Sequence, residues 1–216
     1  MWRKPRLSEV RQIVVPRETT WFCSMDWGFN APGVCLWWAH LGDNHWHIVR
    51  ELKFQYESAE AVAKRWHEMN ASLGKPQIQY VAADPSMWAK TGHGKGESIA
   101  ETLLRFRLPM RKGDNDRKNG WQRCHELLRV APDGVPWLTV DATCRYGLRS
   151  LPAQMSDKRD PDDIDTGGDD HWVDAWRYGA MSRFVAGRVS KTTTPKPWSM
   201  AWLKAQQTET RGILSR

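Results

Sequence analysis

Three aspartates stand at points of the sequence where a folded chain could gather carboxylates. Asp26 ends the apolar run 21–26, Asp84 follows the apolar run 78–83, and Asp174 lies in the first turns of a later helix-forming segment. In a mixed sheet, neighbouring strands deliver side chains beyond their carboxyl ends to one cleft. Each aspartate alone also fits an ordinary turn. Their joint pattern predicts a shared site if the strands that end at Asp26 and Asp84 are neighbours.

Carboxylates that converge in one cleft repel each other, so such a site is stable only when cations share it. Oxygen ligands with few sulfurs or imidazoles select Mg²⁺ or Mn²⁺. Two such ions, about 3.5–4 Å apart, stabilise the attacking water and the leaving oxygen of a phosphodiester. The three aspartates therefore indicate two-ion phosphodiester hydrolysis.

The most specific motif is DDHWVDAWRYG, at 169–179. On a helix, Asp170 and Asp174 are four residues apart and His171 and Asp174 are three apart, so all three lie near one face. Asp169 or Asp170 could instead cap the helix and interact favourably with its dipole. A cap does not require a further acid and a histidine one turn inward, so Asp170 and His171 are candidate metal ligands beside Asp174.

The elements around these residues predict an α/β fold. Three apolar runs separated by turns predict an antiparallel meander, and helices then alternate with strands, which implies a mixed sheet flanked by helices. The predicted strands are 21–26, 33–40, 45–54, 78–83, 108–111 and 137–140, and the predicted helices are 58–73, 97–105, 121–129 and 169–185. The polar, acidic and glycine-rich segment 156–168 is expected to be a loop.

The chain has 216 residues, of which 40% are hydrophobic, and this suits one domain with loose ends. We predict a basic leader or linker at 1–18, the domain at 19–187 and a polar C-terminal tail at 188–216. The sequence contains no apolar segment long enough to span a membrane and no signal-peptide core. Its four cysteines lack zinc-ribbon spacing, so a reducing cytoplasm is expected.

The charge balance favours a polyanionic partner, because 32 Lys and Arg outnumber 25 Asp and Glu, for a net charge of +7. A basic soluble protein explains the charge alone equally well. Candidate phosphate-binding side chains lie in the glycine-rich loop after Asp84 and around the segment 112–123. They are Lys90, Lys95, Lys112, Arg117, Lys118 and Arg123. Arg117 could equally pair with an acid in a loop, and the glycine-rich loop could simply be solvated.

Four segments together resemble one family. DDHWVDAWRYG resembles the acidic helix that closes the nuclease domain of tailed-phage terminase large subunits. The segments MDWGFNAPGV, YVAADPSMW and GDNDRKNGWQRCHELL resemble that domain's first strand, its second acidic strand end and its Asn-Asp-Arg segment. The resemblance covers roughly residues 19–185. It implies an RNase H-like fold in which Asp26, Asp84 and Asp174 are the catalytic metal-binding acids.

The resemblance also implies a biological setting. A terminase nuclease is a Mg²⁺- or Mn²⁺-dependent endonuclease that cuts concatemeric double-stranded DNA during packaging, in the host cytoplasm and away from membranes. Its expected partners are a terminase ATPase domain, the small terminase subunit and the portal. The one glycine–lysine run, at 92–98, lacks the spacing of an ATP-binding phosphate loop, so we expect an excised domain or a split gene product.

Two other functions stay open on the sequence alone. One is an RNase H-like resolvase or transposase-type nuclease, which would prefer branched junctions or transposon ends. The other is a non-catalytic DNA-binding packaging module with a degenerate acidic site, which added metal would not stabilise.

Overall fold

The apolar runs at the start of the domain form the predicted antiparallel meander. In the computed structural model, which describes residues 13, 15, 19–90 and 96–184, β1 is Trp21–Asp26, β2 is Gly33–Gly42 and β3 is His45–Phe54. The turn between β2 and β3 uses Asp43 and Asn44, both with positive φ, of 45° and 63°. Short polar side chains tolerate this left-handed conformation, which matches the twist of the paired strands.

The strand β4 (Ile78–Ala83) lies beside β1 and runs parallel to it, as the shared-site prediction requires. Two short strands, β5 (Met110–Lys112) and β6 (Leu138–Val140), complete a six-stranded sheet of order β5-β4-β1-β2-β3-β6. Every residue of β1 is buried, as expected for a strand covered on both faces. The mixed sheet flanked by helices confirms the predicted fold class.

Within the described residues five α-helices flank the sheet, and a 3₁₀ turn at Pro85–Trp88 follows β4. The helices are α1 (Ala59–Ser72), α2 (Ile99–Arg105), α3 (Arg117–Leu127), α4 (Arg145–Ala153) and α5 (His171–Phe184). Ser58 caps α1, and Ser98 forms a reciprocal capping box with Glu101 at α2. No helix in the part of the chain that the structure describes is long and apolar enough to span a bilayer.

Tryptophans fill the layers on both faces of the sheet. On one face Trp37 stacks on Trp66 of α1, with ring centroids 5.9 Å apart. On the other face the indole of Trp38 lies so close to Gly179 that a Cβ there would fall within 3.0 Å of it. The missing side chain at Gly179 therefore lets α5 pack against the sheet.

Several helices and strands were predicted with the wrong bounds, and one helix, α4, was not predicted. The helix expected at 121–129 begins a turn earlier because Asp116 caps it, accepting a hydrogen bond from the Asn119 backbone. The strand expected at 108–111 is Met110–Lys112, and the last helix begins at His171. Helix α4 was missed because it contains Pro152 and has no side-chain cap of its own. The tail at 188–216 and most of the leader at 1–18 lie outside the described residues, so the predicted domain bounds remain predictions.

Candidate metal centre

Two of the three aspartates meet at the carboxyl ends of β1 and β4. The register pairs Met25 with Ala83, and the backbone N–H of Asp84 donates to the Met25 carbonyl at 3.2 Å. Asp26 is buried, whereas Asp84 is partly exposed and accepts a hydrogen bond from the Ser86 backbone at 2.8 Å. Parallel pairing thus sets the two carboxylates on neighbouring positions of one sheet edge.

Helix α5 brings the third aspartate and its neighbours to the same edge. The Nδ1 atom of His171 lies 3.1 Å from Oδ2 of Asp26 and 4.0 Å from Oδ1 of Asp170. Burial, together with the charges of Asp174 and Asp84, raises the pKa of Asp26 to about 6 despite the hydrogen bond from His171. The four acids therefore share one electrostatic environment, which favours an added positive charge.

Two side chains at the start of α5 respond to the same surroundings: Asp170, which directly precedes the helix, and His171, its first residue. Burial and the charge of Asp174 raise the pKa of the Asp170 carboxyl. The hydrogen bond to Asp26 raises the pKa of the His171 imidazole, against the effect of its own burial. The protonated imidazole is therefore the form that Asp26 stabilises, and it offsets part of the negative charge at the site.

Asp174 is held by two arginines. Its Oδ1 atom accepts from Arg177 Nε at 2.9 Å and from Arg117 Nη1 at 3.2 Å, while its Oδ2 accepts from Arg117 at a longer 3.4 Å. Arg177 is only 1% exposed. The ion pair between Asp174 and Arg177 was not predicted from the sequence, although the three-residue spacing of the two side chains on a helix was an available signal.

Arg117 also binds the loop that precedes α5. Its Nε donates to Asp163 at 3.0 Å, and the Trp121 indole donates to the same carboxylate at 2.6 Å. Although burial acts in the opposite direction, these hydrogen bonds hold the pKa of Asp163 below its ordinary value. The remaining Nη2 of Arg117 is buried and has no hydrogen-bond partner among the described residues. Arg117 thus joins an acid of the predicted 156–168 loop to the carboxylate site.

A second network fixes the start of α5. Glu51 of β3 accepts from the backbone N–H groups of Tyr146 and Gly147, at 2.6 and 3.0 Å, and from the Trp172 indole at 2.9 Å. The Tyr146 hydroxyl donates to Asp169. One half-buried carboxylate therefore caps α4 and ties it to the helix that carries the candidate ligands. The sequence did not indicate this role for Glu51.

The carboxylates converge without forming a preorganised ligand shell. Across residues 19–90 and 96–184, no three His, Cys, Asp or Glu side chains are arranged so that they could hold a metal ion. Both carboxylate oxygens of Asp174 are engaged by arginines: Oδ1 accepts from Arg177 and Arg117, and Oδ2 accepts from Arg117. Arg117 and Arg177 supply positive charge beside Asp174.

The predicted phosphate-binding side chains differ in their surroundings. Lys90 and Lys112 are exposed, and the Lys112 ammonium lies 5.7 Å from the centre of the Trp88 ring. Lys95 lies outside the described residues. Two of the three side chains around α3 form ion pairs at the surface: Lys118 with Asp160 at 2.8 Å and Arg123 with Glu126 at 2.7 Å.

The chain is similar in structure to large terminases of bacteriophages and to their nuclease domains. No protein-family model matches it. No curated protein matches it either. Among solved structures, the P22 large terminase nuclease domain superposes with a TM-score of 0.66 at 19% identity, covering 84% of this chain and 91% of that one. The large terminase nuclease of thermophilic phage G20c, with bound zinc, gives 0.50 at 14% identity, over 76% and 81% of the two chains.

A longer terminase matches in part. The large terminase of another thermophilic bacteriophage superposes with a TM-score of 0.63 at 18% identity, over 78% of this chain. The chain spans about two fifths of that protein, 40% of its length. The mixed sheet, the flanking helices and these superpositions together show that the chain has the fold of phage large terminase nuclease domains.

Proposed function

We propose that the chain is a divalent-metal-dependent DNA endonuclease that cuts concatemeric DNA during viral packaging. The observation that carries this proposal is the meeting of Asp26, Asp84 and α5 at one edge of the sheet, in a fold shared with phage terminase nucleases. In this proposal Asp26, Asp84 and Asp174 hold two ions, and Asp170 and His171 assist. The partners would be double-stranded DNA and the ATPase domain, small subunit and portal of a packaging motor.

The oxygen donors at this edge suit a hard divalent cation in type, although no three of the described side chains are arranged to hold one. The candidate ligands are mostly carboxylates, which favour Mg²⁺ or Mn²⁺. The raised pKa values of Asp26 and Asp170 mean that their charged forms lack sufficient compensation, and a bound cation would provide it. When bound, the ions would supply Lewis acidity for the attacking water and the leaving oxygen of a phosphodiester.

The two arginines that bind Asp174 determine which of its oxygens could accept a cation. Arg177 binds Oδ1 of Asp174 through a short hydrogen bond. A cation that binds Oδ2 would have to displace only the longer contact with Arg117. Arg117 would release Asp174 when a cation binds. The two terminal nitrogens of Arg117 would then be open to a DNA phosphate, which arginine binds in a two-pronged geometry, while Nε keeps its contact with Asp163. Lys90 and Lys112, both exposed, would extend this phosphate contact.

The proposal is tested by cleavage of supercoiled plasmid with Mg²⁺ or Mn²⁺. The nearly isosteric variants Asp26→Asn, Asp84→Asn and Asp174→Asn should each lose nicking and linearisation. Asp43→Asn is a matched control, because Asp43 occupies the β2–β3 turn with a positive φ that asparagine also tolerates. This variant should cut like the wild type, and circular dichroism would verify that all four variants are folded.

Two results would reject the proposal. Cleavage at the wild-type rate by all three site variants would show that these carboxylates are not the catalytic ligands. A strong preference for four-way junctions over plain duplex would instead assign the chain to the resolvase type.

A further inference from the structure

An exposed pair of aromatic rings stands near the acidic edge of the sheet. Phe29 lies in the loop between β1 and β2, and Tyr56 lies just after β3; their side chains are 52% and 68% exposed. The ring centroids are 6.1 Å apart and the ring planes are perpendicular. Large apolar side chains are usually turned inward, so a pair of rings in solvent calls for an explanation other than folding.

The backbone holds these rings in place. The Tyr56 N–H donates to the Phe29 carbonyl at 2.9 Å, and Gln55 Nε2 donates to the Asn30 carbonyl at 2.7 Å. Tyr56 has a φ of 56°, a left-handed conformation that costs free energy for a bulky residue. Strained backbone that keeps a side chain in water is characteristic of binding sites rather than of cores.

The loop that carries Phe29 is tightly built. A Cβ at Gly28 would fall within 3.0 Å of the Ala31 and Pro32 carbonyl oxygens, so only glycine permits this turn. The half-buried Trp27 packs on the buried ring of Phe54, with centroids 5.1 Å apart. The loop is thus anchored on one side by the core while Phe29 faces solvent.

The pair lies at the same sheet edge as the candidate metal ligands. Phe29 is three residues beyond Asp26, and Tyr56 is two residues beyond Phe54. Because β1 and β3 both pair with β2 in antiparallel fashion, they run in the same direction, and their carboxyl ends meet on one side of the sheet. A strand of DNA bound across this edge could therefore reach both the rings and the carboxylates.

Positive side chains accompany the rings. Lys53 is exposed and stands three residues before Tyr56, a span of about 10 Å in extended chain. The Lys53 ammonium lies 4.1 Å from the centre of the Tyr146 ring, and the exposed Arg149 guanidinium lies 5.9 Å from the same ring. Glu57, the acid that directly follows Tyr56, is paired with Arg65. Basic side chains thus lie on the strand that leads to Tyr56 and around Tyr146 of α4, where they could bind a polyanion.

We propose that Phe29 and Tyr56 form a stacking platform for unpaired bases of single-stranded DNA, with Lys53 and Arg149 holding the adjoining phosphates. Aromatic faces bind any base by stacking, and basic side chains follow the backbone. Within a duplex the base faces are covered by their neighbours, so the platform selects a strand that is unpaired or frayed. The inference rests on the proposed function, since it assigns the DNA near the cleavage site a locally opened form.

The test is binding of a fluorescein-labelled oligothymidylate of about 12 nucleotides to the full chain in EDTA, where no cleavage occurs. The double variant Phe29→Ser/Tyr56→Asn should bind about tenfold more weakly or worse. The ring-retaining variant Phe29→Tyr/Tyr56→Phe should bind like the wild type. Leu104→Ser is the matched control for loss of an exposed apolar side chain, 45% exposed on α2, and should have no effect.

Stacking itself is read from an oligonucleotide that carries 2-aminopurine. Its fluorescence should be quenched on binding to the wild type, and the quenching should be lost in Phe29→Ser/Tyr56→Asn. Wild-type affinity in that variant, absence of oligothymidylate binding by the wild type, or an equal loss of duplex binding would each overturn the platform. Because the assay needs no metal, binding by a chain that cuts no DNA would retain the platform and reject only the nuclease.

Discussion

Replacing Arg177 with methionine tests the electrostatic account of the site. Arg177 is 1% exposed and its Nε donates to Asp174 Oδ1 at 2.9 Å. The aliphatic part of its side chain lies directly over Gly120, where a Cβ would fall within 3.0 Å of it. Methionine keeps a flexible chain of similar length in that space but removes the guanidinium. The substitution therefore isolates the charge from the packing.

The expected loss follows from the burial of the pair. Removing one partner of a buried ion pair costs about 3–5 kcal/mol, because the other charge is left uncompensated. The Asp174 side chain is 13% exposed and retains Arg117 at 3.2 Å, so part of its charge stays compensated. We therefore expect Arg177→Met to lower the free energy of unfolding by about 3 kcal/mol, the lower end of that range.

The measurement is urea unfolding followed by circular dichroism, within a double-mutant cycle that includes Asp174→Asn. The double variant should be more stable than the sum of the single losses predicts, with a coupling of about 1–2 kcal/mol. Arg183→Met is the matched control on the same helix. The Arg183 guanidinium lies 4.0 Å from the centre of the Trp46 ring, a contact worth about 0.5–1 kcal/mol.

Two outcomes would refute this reasoning. A loss of less than about 1 kcal/mol in Arg177→Met would mean that the charge of Asp174 does not depend on this arginine. A coupling near zero would mean that the two side chains contribute independently.

Three further predictions concern the anchoring of α5. Glu51→Gln should lower the free energy of unfolding by about 2 kcal/mol, because an amide cannot accept from all three donors that the carboxylate binds; an unchanged urea midpoint would contradict this. Gly147→Ala should cost about 2 kcal/mol through overpacking, since its Cβ would fall within 3.0 Å of the Trp172 indole, and differential scanning calorimetry would measure it. The pKa of Asp163 is lowered by folding, so its charge stabilises the protein above the ordinary aspartate pKa, and this contribution is lost as the pH falls through the folded value. Asp163→Asn should therefore be less stable than the wild type at pH 7, and the difference should shrink below about pH 4; a constant difference would exclude this linkage.

The strands of the sheet were predictable because each is specified by residues that are close together in the sequence. The apolar runs 21–26 and 78–83 are strands with those bounds. The turn at Asp43 and Asn44 connects β2 and β3 as expected. The adjacency of β1 and β4, on which the shared-site prediction depended, is also confirmed. The metal-binding roles of the aspartates remain predictions.

The features that the sequence did not predict depend on distant residues. Helix α4 lacks a cap of its own and takes one from Glu51, about a hundred residues earlier in the chain, 95 from Tyr146. The sequence left open whether Arg117 binds phosphate or pairs with a loop acid, and it did not predict the contact of Arg117 with Asp174, 57 residues later in the chain. Such contacts have no local periodicity, so they are visible only in three dimensions.

The central claim is tested most directly by anomalous diffraction from crystals soaked in Mn²⁺. We predict manganese in contact with the carboxylates of Asp26, Asp84 and Asp174, with Arg117 displaced from Asp174. Well-ordered crystals in which this edge holds no manganese, and in which Asp174 stays paired with both arginines, would contradict it.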